Sequence, residues 1–529
     1  MRLRSAILGS KGGVVWHLDP MDAGHSPVWR VGSRQNFSST DASFSVEDGF
    51  DPFTTHHNSE DADRADRMVR DLVKRRLTGG AAIEVWKGFL GGALNSYRVL
   101  SEKAAEQARR GKRRTDASFT RKADDLLAFA EQAYERDPAL SPDIKSYSIV
   151  LDAYAKIGDP EGAEAVSRRL EKLWEAGNAK VKPNTILYNT VINAWAKSQG
   201  KGAAQRAEAI LEHMEQLHQQ GHEDVRPDVI SYGAVINAWA RSREKGAAQR
   251  AEAILNHMLK LDEGGREGCC PNTTCFTAVI DAWARSRDID APRNAEALLE
   301  KMEQLHGQGY EDVRPDVISF NAVINAWAKS RDMNAYEHAK RVFGQMQGMG
   351  QAAEPDVLTY TSLINALSVS SVPDKAEKAF NMLLEMETMT SKGNRDVAPT
   401  SITFGAVMKA CARTSGNQQV KRKALRVALG VCDKLRRSPY LSIDPLIYDP
   451  LFTTIANASK GQEYIKLVSE VFKLCCEDGV LNDVILQTLR RRAPKDVFAK
   501  LVGVHAAGGR DISVADLPAD CSKNAKGRY

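Results

Sequence analysis

The stretch VISYGAVINAWARS, residues Val229–Ser242, decides the fold because close copies of it recur along the chain. The copies are ILYNTVINAWAKS from Ile186, CFTAVIDAWARS from Cys275 and VISFNAVINAWAKS from Val317. Each copy keeps the order Val-Ile-x-Ala-Trp-Ala, whereas the residue just after the aromatic changes. A constant phrase with one variable position indicates a repeated scaffold that carries different information in each unit.

The repeat has a nearly fixed period. Its aromatic residues follow one another at steps of 40 to 44 residues, at Tyr147, Tyr188, Tyr232, Phe276, Phe320, Tyr360, Phe404 and Tyr448. A second phrase of the type RAEAILEHMEQL follows in most units, and Pro with Asp or Asn closes six of the boundaries. Self-similarity at this period predicts stacked supersecondary units in place of separate domains.

Both phrases have the spacing of buried helical stripes. In the first phrase the apolar residues fall at i, i+3, i+4 and i+7, as Tyr188, Val191, Ile192 and Trp195. The second phrase repeats that spacing with Ala207, Ile210, Leu211 and Met214. A pair of such helices cannot bury its apolar face alone, so neighbouring pairs must stack. The predicted fold class is all-α, an α-solenoid of stacked antiparallel helix pairs.

The variable residue is expected on a second, exposed stripe of the first helix. Asn189, Asn193 and Lys197 follow at i, i+4 and i+8 and therefore share one flank, away from the apolar stripe. A basic residue stands eight positions after the variable one in six units, at Lys156, Lys197, Arg241, Arg285, Lys329 and Arg413. These cations are predicted to contact RNA phosphates, because a polar group and a cation once per unit suit single-stranded RNA.

The aromatic with its polar neighbour, the phrases VINAWAKS and AEAILEHM, and the closing Pro-Asp together resemble the pentatricopeptide repeat (PPR) family of organellar RNA-binding proteins. The resemblance covers residues 144–482, is of the long-repeat P-type-like kind, and includes no recognisable C-terminal catalytic domain. It implies a right-handed superhelix. Most units are longer than the family's usual repeat, and the last two close with Thr400 and Asp444 without the usual Pro-Asp.

The resemblance also implies which residues read bases. In the family, the residue after the aromatic acts with the last residue of the same repeat. The implied pairs are Ser148 with Asn184, Asn189 with Asp228, Gly233 with Asn272, Thr277 with Asp316, Asn321 with Asp356, Thr361 with Thr400, and Gly405 with Asp444. By the family's code Ser-Asn favours adenine, Asn-Asp uracil and Thr-Asp guanine, which gives 5′-A-U-(A)-G-U followed by poorly specified positions.

The predicted organisation combines the repeat with its flanks. Residues 1–40 carry five basic and two acidic residues with several serines, which suits an organelle transit peptide or an ordinary disordered N-terminus. The mitochondrion is the expected location, with a plastid as the alternative. The other segments are an acidic disordered linker at 41–66, an atypical helical cap at 67–143, repeats at 144–184, 185–228, 229–272, 273–316, 317–356, 357–400, 401–444 and 445–482, and a C-terminal capping helix and tail at 483–529.

The leading functional hypothesis is a non-catalytic, sequence-specific single-stranded RNA-binding protein in organellar RNA stabilisation, processing, splicing or translation. The alternative is a helical-repeat protein scaffold or ribosome-associated assembly factor. His213-Met-Glu215 matches the start of a zinc deaminase motif, but no Pro-Cys-x-x-Cys follows. No cofactor, metal site, enzyme activity or membrane insertion is expected, and the predicted protein partners are organellar RNA-processing or ribosomal proteins.

Overall fold

The structure is a computed structural model. It describes residues 14–18, 28–33, 43–45, 58–74, 80–110, 116–502 without 199, 243, 331 and 439, and 513–514 and 517–524. The predicted transit peptide, residues 1–40, lies mostly outside these residues. The strands β1 (Val14–Leu18), β2 (Val28–Ser33) and β3 (Ser43–Ser45) form a small antiparallel sheet in that order, which the sequence did not predict.

Eight helix pairs follow one another from residue 144. The first helices of the pairs are α4 (Ile144–Ile157), α6 (Thr185–Lys197), α8 (Val229–Arg241), α10 (Thr273–Arg285), α12 (Val317–Lys329), α14 (Val357–Val369), α16 (Ser401–Ala412) and α18 (Pro445–Ala458). The second helices are α5 (Pro160–Glu175), α7 (Ala203–Gln219), α9 (Ala247–Glu263), α11 (Ala291–Gly307), α13 (Ala335–Gly348), α15 (Lys375–Ser391), α17 (Gln418–Arg436) and α19 (Gly461–Glu477).

Helices flank the pairs on both sides. Before them come α1 (Ser59–Lys74), α2 (Gly80–Arg109) and α3 (Ser118–Arg136), and after them α20 (Asp483–Arg492) and α21 (Lys495–Val502). Helix α1 begins inside the segment that the sequence predicted as a disordered linker. Its Ala62, Ala65 and Val69 are buried, and α1 packs against α2, so the acidic composition of this segment hid an amphipathic helix.

The closing Asp or Asn of each repeat starts the next first helix. Asp228 has extended backbone angles, and its carboxylate accepts the N–H of Ser231 at 2.9 Å. Asn184, Asn272, Asp316 and Asp356 cap their helices in the same way. A capping side chain satisfies one of the backbone N–H groups that a helix start leaves without an intrahelical partner. The first helix therefore begins immediately after each closing residue.

The chain divides into two compact units, Met1–Glu244 with Asn256–Cys270 and Lys245–Leu255 with Pro271–Tyr529. In the N-terminal unit α4 packs against α6 and α6 against α8. In the C-terminal unit α10, α12, α14, α16, α18 and α20 pack successively in chain order. Each second helix there also contacts the following first helix, as α11 does with α12. The predicted all-α solenoid of stacked helix pairs is confirmed within each unit.

In four of the helix pairs a tryptophan of the first helix bonds to the previous second helix. The indole Nε1–H of Trp195 donates to Glu164 at 3.0 Å, and that of Trp327 donates to Glu296 at 3.1 Å. Trp239 with Glu208 and Trp283 with Glu252 repeat the bond over the same separation of 31 residues. All four tryptophans are buried. They therefore belong to the core, as their place on the apolar stripe predicted, and do not offer exposed faces for stacking bases.

The tyrosine of the first phrase makes a second bond between pairs. The Tyr188 hydroxyl donates to Glu171 at 2.6 Å, and His213 of the next second helix lies 3.6 Å from the same carboxylate. Burial raises the pKa of Tyr188, so the hydroxyl stays protonated and keeps donating. The interaction with Glu171 raises the pKa of His213 above its ordinary value.

We expect Trp327→Phe to lower the free energy of unfolding by about 2 kcal/mol, because the buried Glu296 carboxylate loses an N–H donor. Urea unfolding followed by circular dichroism measures the loss. Tyr440→Phe is the control, since Tyr440 is exposed. Equal midpoints for wild type and Trp327→Phe would contradict a stabilising role of the bond.

The raised pKa of His213 gives a pH dependence with a defined sign. Its stabilising contribution is complete below the unfolded-state pKa of about 6.5 and disappears as the pH rises through the higher folded-state pKa. We therefore expect wild type to exceed His213→Gln in stability at low pH and to match it at high pH. Thermal unfolding across the pH range tests this. In a Glu171→Gln background the pH-dependent difference should vanish.

Candidate nucleic-acid interface

Two of the predicted base-reading pairs are in direct contact. The Asn189 side chain, on α6, donates from Nδ2 to Oδ1 of Asp228 at 3.1 Å, and Asn321, on α12, donates to Asp356 at 3.1 Å. In each pair the second residue is also the N-cap of the following first helix. One carboxylate therefore both starts a helix and holds the variable residue of the preceding repeat.

Two further pairs are linked through a third side chain. The Thr277 hydroxyl lies 3.1 Å from Ser319 Oγ, which donates to Asp316 at 2.6 Å. Likewise, Thr361 Oγ1 lies 2.9 Å from Thr403 Oγ1, and the latter lies 3.3 Å from Thr400 Oγ1. The linking hydroxyl comes each time from the third residue of the next first helix.

Two of the remaining predicted pairs, Ser148 with Asn184 and Gly405 with Asp444, have no such link among the residues that the structure describes. Ser148 donates to the carbonyl oxygen of Ile144 in its own helix at 2.9 Å. Gly405, which the sequence pairs with Asp444, has no side chain to bond. The pair Gly233 with Asn272 is divided between the two units, since Gly233 belongs to the N-terminal unit and Asn272 to the C-terminal unit.

The structure corrects the expected exposure of the variable residues. Asn189 is only 8% exposed and Asn321 only 5%, and Thr361 and Gly405 are buried too, whereas Ser148, Gly233 and Thr277 are half-buried. Helical periodicity placed them on a solvated flank because it considers one helix alone. Contact between successive first helices covers that flank. Only an edge of each of these variable residues, which we call the predicted readers, therefore meets solvent.

A row of exposed aliphatic residues runs beside the readers, and the sequence analysis missed it. The second residue of several first helices is an exposed apolar side chain, at Ile186, Ile230, Ile318, Leu358 and Ile402. Ile186 is 72% exposed, although a solvated position does not require an apolar side chain. The available signal was an apolar residue that recurs in most copies but lies off the buried stripe.

The predicted phosphate contacts fall into two groups. Lys197 and Arg241 end their first helices, are exposed, and make no ion pair among the residues that the structure describes. In contrast, Lys156 pairs with Glu102 at 3.0 Å and Arg285 with Asp281 at 2.6 Å. Lys329 and Arg413 reach neutral oxygens of the preceding first helix, at 3.4 and 3.5 Å.

Readers and cations occupy opposite ends of the first helices. Asn189 is the fifth residue of α6 and Lys197 the last, and eight residues of α-helix span about 12 Å. The helix N-termini beside the readers carry positive dipole ends, which favour anionic ligands. A strand of nucleic acid could therefore meet positive charge at both margins of the reading row.

The helix-cap series continues one step beyond the predicted pairs. Asn482 caps α20, accepting the N–H of Ile485 at 2.9 Å, and Asp449 takes the position after the aromatic Tyr448. Thr488 donates to Asp449 at 2.6 Å, so α18 and α20 repeat the contact of earlier first helices. The eighth repeat thus has a polar residue in the register of the readers.

The described residues hold neither a candidate membrane span nor a candidate metal site. Among those residues no helix combines the length and apolar character that a membrane span needs. Nor does the described part of the chain bring three or more His, Cys, Asp or Glu side chains together as metal ligands.

The stacked helix pairs and the polar contacts Asn189–Asp228 and Asn321–Asp356 define a class. It is that of α-helical repeat proteins with polar pairs shared between successive repeats. The family model of the PPR repeat matches residues 145–172 and 358–387, and that of the PPR repeat family matches 315–369. The chain therefore carries pentatricopeptide repeats in these segments. No curated protein matches it.

Solved structures give distant similarities. The pentatricopeptide repeat protein PPR10 in complex with an 18-nt psaJ RNA element is 15% identical, with 83% of this chain and 72% of that chain covered and a TM-score of 0.29. The pentatricopeptide repeat protein PPR10 from maize is 14% identical, with 86% of this chain and 78% of that chain covered and a TM-score of 0.27.

Proposed function

We propose that the chain is a non-catalytic protein that binds single-stranded RNA and reads it one base per repeat. The observation that carries this proposal is the repeated bond between a reader and the next helix cap, Asn189 with Asp228 and Asn321 with Asp356. Each bond holds two polar side chains at the edge of a repeat. Single-stranded RNA offers unpaired base edges that such pairs can recognise, whereas a duplex hides them.

The Asn-Asp pairs have the donors and acceptors that uracil requires. Asp228 Oδ1 accepts from the N–H of Ser231 and from Asn189 Nδ2, and Oδ2 receives no hydrogen bond among the described residues. Oδ2 can therefore accept the N3–H of uracil. The second N–H of Asn189 Nδ2 can donate to a uracil carbonyl. This complementarity supports uracil at the second and fifth positions.

The Ser148-Asn184 pair has the opposite arrangement. Ser148 donates to its own helix, so it meets a ligand as an acceptor, which suits the N6 amine of adenine. Asn184 Oδ1 accepts the N–H of Leu187, which leaves its amide hydrogens to donate to adenine N1. This supports adenine at the first position.

The exposed aliphatic residues fit the same ligand. A base splayed from its neighbours exposes two apolar faces, which need an apolar surface in place of the lost stacking. Ile186 and Ile230 lie at the second position of α6 and α8, beside the caps that hold the readers. Side chains of this kind, one per repeat, could cover the faces of successive bases.

We place this activity in organellar RNA stabilisation, processing, splicing or translation. The support is the basic, serine-containing N-terminal sequence together with the repeat class. The mitochondrion is the proposed compartment, with a plastid as the alternative, and organellar RNA-processing or ribosomal proteins are the proposed partners.

Asn189→Thr should move the preference at the second base from uracil toward guanine, because it recreates the Thr277-Asp316 combination. Gel shifts with the full chain would compare RNAs containing AUAGU and AGAGU, with single-stranded DNA and duplex RNA alongside. Asn193→Thr, one helical turn away on the same flank, is the matched control and should keep the uracil preference. Equal weak binding to every nucleic acid would overturn the proposal and favour a protein scaffold.

Replacing Lys197 and Arg241 by alanine should weaken binding to all RNAs equally and leave base preference unchanged. Each lost phosphate contact should reduce the slope of log affinity against log salt by about 0.7. Titrations at several salt concentrations measure that slope.

Arg285→Ala is the comparison variant for that titration, since Arg285 is already paired with Asp281. It should change the slope less than Lys197→Ala or Arg241→Ala does. A larger effect for Arg285→Ala would contradict the division of the cations into free and paired groups.

A further inference from the structure

A buried hydroxyl group accompanies each reader that bonds across repeats. It belongs to the third residue of the following first helix, at Ser231, Ser319, Thr359 and Thr403, and all four residues are fully buried. Ser231 Oγ lies 2.6 Å from Asn189 Oδ1, and Thr359 Oγ1 lies 2.6 Å from Asn321 Oδ1. The other two hydroxyls contact Thr277 and Thr361 at 3.1 and 2.9 Å.

The sequence varies at this position together with the reader. Where the reader is Asn189, Thr277, Asn321 or Thr361, the third residue of the next first helix is Ser or Thr. Where the reader is Gly233 or Gly405, that residue is Cys275 or Ile447. A requirement of helix capping alone would not depend on the reader of the previous repeat. Ser148, which bonds only within its own helix, is likewise followed by Leu187 at that position. With the exception of Ser146, which no predicted reader precedes, the hydroxyl therefore accompanies readers that bond across repeats.

The chemistry of the cluster fixes the reader's amide in one orientation. The Asp356 carboxylate has no proton, so it must face the Nδ2 donor of Asn321, at 3.1 Å. Oδ1 of Asn321 then points to Thr359, whose hydroxyl can donate to it at 2.6 Å. The same hydroxyl also lies 2.9 Å from Asp356 Oδ1, so one side chain touches both members of the reading pair.

We propose that Thr359, Ser231, Ser319 and Thr403 are positioning residues for base discrimination, so that three side chains in each such repeat set its specificity. The inference rests on the proposed RNA-reading function and identifies what orients the reader. Without the hydroxyl, Asn321 Oδ1 loses its donor inside a buried contact, and the amide is held by Asp356 alone. The side chain can then rotate toward another donor for Oδ1, its second N–H no longer faces the base, and uracil loses its advantage.

The test compares Thr359→Val, which removes the hydroxyl at nearly constant shape, with Thr359→Ser, which keeps it. Affinities of the full chain are measured for four RNAs that contain AUAGN, with each base at N. We expect Thr359→Val to reduce the preference for uracil at the fifth position about fivefold or more, as for loss of one hydrogen bond. Thr359→Ser should retain it.

Two readouts separate positioning from a general structural effect. Preference at the second base, read by Asn189, should persist in Thr359→Val. Ser146→Ala removes a hydroxyl that donates to its helix cap, Asp143, at 2.8 Å, but no predicted reader precedes it, so base preferences should persist there as well. If Thr359→Val also loses the uracil preference at the second base, Ser231→Ala is the deciding variant. It should lose the uracil preference at the second base and keep it at the fifth.

The outcomes distinguish the positioning role of the hydroxyls from the RNA-reading function on which it rests. Full uracil preference in both Thr359→Val and Ser231→Ala would overturn the inference while leaving the RNA-reading function intact. Failure of wild type to prefer AUAGU over other RNAs would overturn the proposed function and this inference with it.

Discussion

The fold depends on a buried carboxylate that must have a partner in the next helix pair. Glu164 and Glu296 lie in second helices, and each accepts the indole N–H of a tryptophan in the following repeat. A buried charge without donors is costly, so the carboxylate tolerates few alternative positions of its neighbour. Arg341 adds a second donor to Glu296 at 2.7 Å. The bond thus fixes the register of one pair against the next, which apolar packing alone would leave less strictly determined.

That register allows one residue to serve two purposes at the reading row. Asp228 and Asp356 are needed as helix caps, and correct stacking brings each of them to the reader of the previous repeat. The predicted reader is consequently positioned by the capped start of the next first helix. Variation from Asn to Thr or Gly changes what a repeat presents and leaves the tryptophan bond untouched. Scaffold and information are therefore separable in this chain.

Sequence periodicity predicted the features that are set within a single helix. It missed the features that depend on contact between two helices. The buried place of Trp195 followed from its position on the apolar stripe of one helix. The acceptor Glu164 could not be predicted, since it lies 31 residues earlier on a helix whose facing side only stacking defines. The burial of Asn189 was mispredicted for the same reason. Ile186 was visible as an apolar residue off the stripe, and its significance appears only beside the readers.

The placement of charge separates how tightly RNA could be held from how it would be read. Lys197 stands at the last residue of α6, about 12 Å along the helix from Asn189, and both are fixed by the same rigid element. Phosphate contacts of this kind raise affinity for any sequence, whereas hydrogen bonds to base edges discriminate between sequences. Where Glu102 and Asp281 neutralise Lys156 and Arg285, the general attraction for RNA would weaken, and the proposed reading pairs would supply a larger share of the binding free energy. A repeat of this design can therefore gain selectivity by pairing its cation without changing its reader.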